Sequence, residues 1–374
     1  MAAGGTQTSV PFMDLQRHHA PIASELRAAF DRVLGASAFI LGEEVERFEA
    51  RFAELCGVRH CVGVASGTAA LVIMLEAAGI GPGDEVIVPA HTFIATALAV
   101  KQVGAVPICA DVEIGTGLLD PAAVAATIGP RTAAILPVHL YGQVCAMDHL
   151  RSMAERYSLA LFEDAAQAHG ATFQGRPAGG LGTAGAFSFY PSKNLGALGD
   201  GGAICTNDDT LAEAARRLRD LGRLGHPAHK RKGYNERLDG LQAAFLAVKL
   251  NHLVEWNEAR RSIAAHYREA LSGVELLEEW PESPCIFHLF PIRVEGRDEL
   301  AAFLAERGIA TGVHYPVALP DQPALEGIPA AGAHNARIWA QTELSLPIFP
   351  ELRVIEIGAV VAGVDEWLTA RQLN

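Results

Sequence analysis

Between Arg59 and about Thr206, short apolar runs rich in Val, Ile and Ala alternate with stretches whose apolar residues return every three or four positions. Continuous apolar runs suit strands buried on both faces, and their alternation with helical stretches predicts a mainly parallel sheet covered by helices. The runs place seven strands, at 61–65, 85–88, 106–110, 133–138, 159–162, 186–189 and 202–206. A glycine-rich turn at 79–84 ends one helix and delivers the chain to the next strand. After about Gly240 the pattern changes to a long helix over 241–271, a strand-like run at 286–294, a helix over 298–307 and a last helix near 355–368. The expected organisation is a flexible tail over 1–10, a large α/β domain over 11–240 and a smaller C-terminal α+β domain over 241–374. No internal repeat, low-complexity tract or Pro/Ser-rich linker separates the last two, so they are expected to pack closely.

A length of 374 residues fits this division, because a single core stops growing near roughly 250 to 300 residues. Half the residues are apolar and a fifth are charged, the balance of a globular protein. The opening residues are small and polar, without the basic start and apolar centre of a secretory signal. No apolar run reaches the roughly 18 residues that span a bilayer, so a cytoplasmic protein is expected. The six cysteines lie far apart without CxxC pairing and mostly in apolar runs, which predicts buried free thiols. The fourteen histidines include no HExxH and no zinc-like cluster, so no metal is expected. A net charge of −13 argues against general nucleic-acid binding. One segment departs from it: Arg216, Arg217, Arg219, Arg223, Lys230, Arg231, Lys232 and Arg237 are opposed only by Asp220 and Glu236. That segment is either a local anion site or a solvated basic loop.

Only five lysines are present: Lys101, Lys193, Lys230, Lys232 and Lys249. Lys193 alone follows a buried strand and precedes a glycine-rich loop, in Phe-Ser-Phe-Tyr-Pro-Ser-Lys-Asn-Leu-Gly (187–196). Ligands of open α/β sheets bind beyond the carboxyl ends of strands, and a lysine desolvated there becomes a usable amine nucleophile. The plainer alternative is a solvated loop lysine. Asp164 ends another strand, where a carboxylate beside apolar residues is costly unless it meets a cation such as a protonated pyridine nitrogen, or caps the turn that follows. Gln167 then lies one turn on. Ser66-Gly67-Thr68 joins a strand to a helix, and free N–H groups at a helix start either bind phosphate or form an ordinary capping turn. Ser188 could add a donor, and Phe93 either covers a flat ligand or fills the core.

Taken together, Ser-Gly-Thr, Glu-Asp-Ala-Ala-Gln-Ala-His-Gly (163–170) and the lysine motif closely resemble the DegT/DnrJ/EryC1/StrS family of sugar aminotransferases. The resemblance extends over nearly the whole chain, through Val-Pro-Phe-Met-Asp-Leu (10–15), Pro-Val-His-Leu-Tyr-Gly (137–142), Gly-Tyr-Asn-Glu-Arg-Leu-Asp (233–239) and His-Tyr-Pro (314–316). It implies the aspartate-aminotransferase fold (fold-type I) and the cofactor pyridoxal 5'-phosphate (PLP, or PMP in its amino form), carried as a Schiff base on Lys193. By the same resemblance Asp164 faces the pyridine nitrogen, Gln167 the ring hydroxyl and Phe93 the ring face. Gly67, Thr68 and Ser188 hold the phosphate, and Asn235 reaches it from the partner subunit of a homodimer. Tyr315 and His314 approach the sugar, although the following run, 317–322, departs from the histidine-containing one of the family. The basic segment acquires a candidate role, the diphosphate of a nucleotide.

The implied reaction is transfer of an amino group from L-glutamate to a nucleotide-linked keto-deoxysugar, by ping-pong kinetics with Lys193 moving the proton. The runs at 10–15 and 139–142 look most like members acting on dTDP-3-keto-6-deoxyhexoses, while other members aminate carbon 4. Two alternatives are a PMP-dependent sugar dehydratase, whose similar members carry histidine in place of the lysine, and a PLP-binding regulator, which would not need the full set Lys193, Asp164 and Gln167.

Overall fold

The structure is a computed structural model that describes residues 9–223, 229 and 232–372. Most of the expected tail, with Lys230 and Arg231 of the basic segment, lies outside the described residues. Eight strands form the main sheet: β1 (His60–Val64), β2 (Glu85–Pro89), β3 (Val106–Ala110), β4 (Thr132–Ile135), β5 (Ala160–Asp164), β6 (Ala184–Ser188), β7 (Gly202–Thr206) and β8 (Ala330–Ala331). Their order is β1-β7-β6-β5-β4-β2-β3-β8, with β7 antiparallel to both neighbours and every other pair parallel. All seven expected strands are present. β8 is additional, a pair of exposed alanines aligned with Cys109 and Ala110, and two residues carry no alternation to read.

The strands pack as their runs predict. All five residues of β7 are buried, as are four of five in β2, because helices cover both faces. Helix Gly67–Ala77, which follows β1, is buried without a break from Ala69 to Leu75 and packs against β6, β7 and helices Ala95–Gln102 and Asp209–Arg219. A helix with no polar face is stable only in such a position. All six cysteines are buried and free. No described helix is long and apolar enough to cross a membrane.

In the C-terminal part a three-stranded antiparallel sheet, Glu275–Leu276, Phe290–Arg293 and Glu343–Leu346, packs with helices Arg297–Glu306 and His334–Thr342. The expected helix over 241–271 is in fact two, Gly240–Lys249 and Leu253–Ala270. Tight bonds from the Asn251 N–H to the Val248 carbonyl (3.1 Å) and from the His252 N–H to the Lys249 carbonyl (3.0 Å) turn the chain between them. The first helix packs on Ala23–Ala36 and Glu43–Leu55, the second on Val354–Gln372, so one straight axis would serve neither. At the break the fully buried amine of Lys249 donates to the Gly196 carbonyl, behind the loop that carries Lys193, and lies 3.1 Å from His19 Nε2. Burial lowers its pKa to about 8.

Val10, expected as the end of the tail, is buried and exchanges backbone bonds with Gly308 (2.8 Å) and Ala310 (2.9 Å). Close by, the buried Glu356 accepts from Arg17 Nη1 at 2.9 Å and from Arg353 Nη2 at 2.7 Å. Burial alone would raise its pKa, but the bonds from Arg353 and Arg17 outweigh that and hold it at about 2. A carboxyl depressed in the folded state stabilises above its ordinary value of 4.5 and loses that contribution as the pH falls towards 2. Thermal melts between about pH 5 and pH 2 should show Glu356→Gln losing less stability across that window than the parent protein. Parallel losses would refute the linkage.

Candidate active site

A cleft of about 500 Å³ opens beyond the carboxyl ends of β1, β2, β4, β5 and β6, with the C-terminal part as its opposite wall. Parallel strands end together there, so loops from distant stretches of sequence converge. Lys193, Asp164, Gly67, Thr68, Phe93, Gln167, Ser188, His314 and Tyr315 all line it. Asn235 does not. It is exposed and bridges to Asp220, away from this cleft.

At one end lies the start of helix Gly67–Ala77. Ser66 caps it, its Oγ accepting from the Ala69 N–H at 3.1 Å. The N–H groups of Gly67 and Thr68 meet no protein acceptor among the described residues. A Cβ on Gly67 would stand 2.5 Å from Ser188 Cβ, so glycine is what lets the helix start close on β6. The result is a cradle of free N–H groups and hydroxyls at the positive end of a helix, fitted to an oxyanion.

At the floor, Asp164 ends β5 fully enclosed. Its Oδ2 accepts from Thr96 Oγ1 at 2.8 Å and its Oδ1 from the Ala166 N–H at 3.2 Å. It therefore closes the turn, as the plainer alternative had it, and still presents its charge to the cleft. Burial raises its pKa, partly offset by Thr96, Ala166 and Lys193. Gln167 is fixed by the Tyr141 N–H on Oε1 (2.6 Å) and places Nε2 3.2 Å from the Tyr315 hydroxyl. The neighbouring Glu163 is a purely structural anchor. Its carboxylate accepts from His139 and from the N–H groups of Gly179, Leu181 and Gly182 at 2.7 to 3.0 Å.

Lys193 enters from the loop after β6. Burial lowers its pKa to about 8, with Asp164 acting the other way, so about a tenth is neutral amine at pH 7. Opposite, the Phe93 ring is half exposed and tilted 40° against Tyr315 at 5.4 Å. His314 stacks on Phe12 and its Nδ1 lies 2.9 Å from Ser345 Oγ. Burial holds its pKa near 4, so the ring is neutral.

Four arginines of the basic segment are engaged internally: Arg217 with Glu213, buried Arg219 with Glu49, and both Arg223 and Arg237 with Asp220. Two residues could not be found from the sequence. Thr96 sits inside an apolar helix and His288 in an apolar run, 95 residues from the lysine it meets. Nothing local distinguishes either from a core residue. Among the described residues no group of His, Cys, Asp and Glu could hold a metal ion.

Residues 21–365 match the DegT/DnrJ/EryC1/StrS aminotransferase family. The dTDP-3-amino-3,4,6-trideoxy-alpha-D-glucose transaminase of Streptomyces venezuelae is 46% identical over 372 residues, 98% of each chain. Among solved structures, DesV of S. venezuelae in complex with a ketimine intermediate superposes with a TM-score of 0.93 at 46% identity, covering 96% of this chain and 98% of that one. NtdA of Bacillus subtilis with bound cofactor PMP superposes at 0.89 with 31% identity, covering 97% and 86%.

Proposed function

This chain belongs to the DegT/DnrJ/EryC1/StrS aminotransferase family and is a nucleotide-sugar aminotransferase, and from that premise we propose that it moves an amino group from L-glutamate to carbon 3 of a keto-deoxysugar linked to dTDP, using PLP. The observation that carries this reading is one cleft in which an amine of lowered pKa, a buried carboxylate and an oxyanion cradle face each other. PLP, when bound, supplies an aldehyde that takes up the amino group and a ring that stores electrons.

The residues fit that group. Lys193 would hold it covalently, Asp164 would face its ring nitrogen, Gln167 its hydroxyl, and Gly67, Thr68 and Ser188 its phosphate. Phe93 would lie against the ring. Once free, the Lys193 amine acts as base and then as acid at the carbon that gains or loses the amino group. A pKa near 8 suits both tasks. His314 and Tyr315, from the smaller part over 241–374, would contact the sugar, while the larger part over 11–240 holds the cofactor. Carbon 3 is favoured by the name of the S. venezuelae transaminase.

The working form is proposed to be a cytoplasmic homodimer. Phe30, Leu34, Phe39 and Ile40 follow one another along one exposed stretch, a surface that a second copy would cover. The partner's copy of Asn235 would then complete the phosphate cradle.

With glutamate alone, the PLP-loaded protein should release one equivalent of 2-oxoglutarate per site, with no sugar present. Full turnover should give parallel initial-velocity lines. No 2-oxoglutarate without sugar would sink the reading, and reverse assays with 3-amino and 4-amino nucleotide sugars decide the carbon.

A further inference from the structure

The tautomer of His288 can be read from a chain of hydrogen bonds that ends on a backbone carbonyl. Asn257 Nδ2 lies 2.9 Å from the His169 carbonyl, which can only accept, so Asn257 donates there and its Oδ1 is an acceptor. Asn194 Nδ2 stands 2.8 Å from that oxygen and must donate to it, which turns Asn194 Oδ1 towards His288 Nδ1 at 3.1 Å. An amide oxygen accepts, so Nδ1 carries the ring proton and Nε2 is left with its lone pair.

The ring is buried, and an acceptor buried without a donor is costly. Among the described residues the one polar atom that meets Nε2 is Nζ of Lys193, at 3.5 Å. We propose that His288 is a positioning residue that docks the Lys193 amine: Nε2 accepts an N–H of Nζ whenever the amine is not covalently engaged. The amine's lone pair is then left for the cleft, where the proton is exchanged. This role rests on the function proposed above, since it matters only if Lys193 carries chemistry.

The electrostatic surroundings agree. Burial first, then the charges of Lys193 and Arg260 and the rings of His314 and His169, hold the His288 pKa well below its ordinary value, so Nε2 stays unprotonated. The carboxylate of Asp164 acts on the same amine from the other side. Arg260 makes no bond to Nε2: its Nη1 is engaged by the Phe287, His288 and Ile348 carbonyls, and its buried Nε meets no acceptor among the described residues.

An ammonium that loses an acceptor becomes easier to deprotonate. Competitive acetylation of the cofactor-free protein by acetic anhydride, read at Lys193 by mass spectrometry against pH, measures this. The parent should titrate near 8, and His288→Leu should fall by about one unit. His288→Gln, whose amide oxygen still reaches, should return to the parent value. His288→Asn, polar but too short, should follow the Leu variant and serves as the test if Leu is not tolerated. In the PLP-loaded proteins, single-turnover release of 2-oxoglutarate should slow about tenfold in the Leu and Asn variants and recover in Gln. A Lys193 titration unchanged in both Leu and Asn, or not restored by Gln, overturns the docking role. A parent that releases no 2-oxoglutarate overturns the function instead, leaving the docking to be judged on the acetylation titration.

Discussion

Replacement of Lys193 by Ala is expected to lower kcat/KM for amine transfer by at least about 10⁴-fold, because in the proposed reaction one side chain would serve as covalent anchor and proton carrier. The two roles can be separated. Lys193→Ala should retain its fold, since no ion pair depends on the amine and its contact is the long one to His288. It should still bind PLP through the cradle at Gly67 and Ser188, but non-covalently, so borohydride should no longer fix the cofactor to the protein. An added small primary amine, filling the space the side chain leaves, should restore part of the rate. A Lys193→Ala protein within about tenfold of the parent would place the chemistry elsewhere.

Asp164→Asn is expected to cost about 10² to 10³-fold in kcat, the range for removing one preorganised electrostatic partner. The substitution is nearly isosteric. Thr96 can reverse its hydroxyl and accept from the new amide, and the Ala166 N–H keeps an oxygen to bond. The carboxylate's raised pKa says that burial disfavours the charge, so the cofactor-free variant should melt at or above the parent temperature. Loss of rate without loss of stability marks a charge kept for chemistry. A variant that keeps its rate, or loses rate only in proportion to unfolding, would remove Asp164 from the reaction.

The sequence was most legible where one stretch of chain carries its own meaning. Continuous apolar runs gave the seven strands, because a strand buried on both faces needs nothing but apolar residues. Lys193, Asp164 and Gly67 stood out because each sits directly after such a run, and the ends of parallel strands meet in one place. Residues whose role depends on a partner far along the chain were silent. Thr96 is one hydroxyl in an apolar helix until Asp164 is placed beside it, and His288 is one more ring in a core until Lys193 reaches it. Charge patterning is incomplete for the same reason. Arg219 reads as one more charge of a basic segment, yet Glu49, 170 residues away, neutralises it across space. The single helix expected over 241–271 failed on a different count, since periodicity records an apolar stripe and not which neighbour that stripe faces.

The second buried lysine has a bearing on selectivity. Lys249 matches Lys193 in basicity, both near 8, and an aldehyde tests amines by how readily they shed a proton. Basicity cannot tell these two apart. Access does: Lys249 is sealed from solvent and committed to Gly196 and His19, whereas Lys193 alone borders the cleft. An aldehyde carried in on a phosphate would therefore find, of these two buried lysines, one addressable nitrogen, and the look-alike behind the loop would not become a decoy.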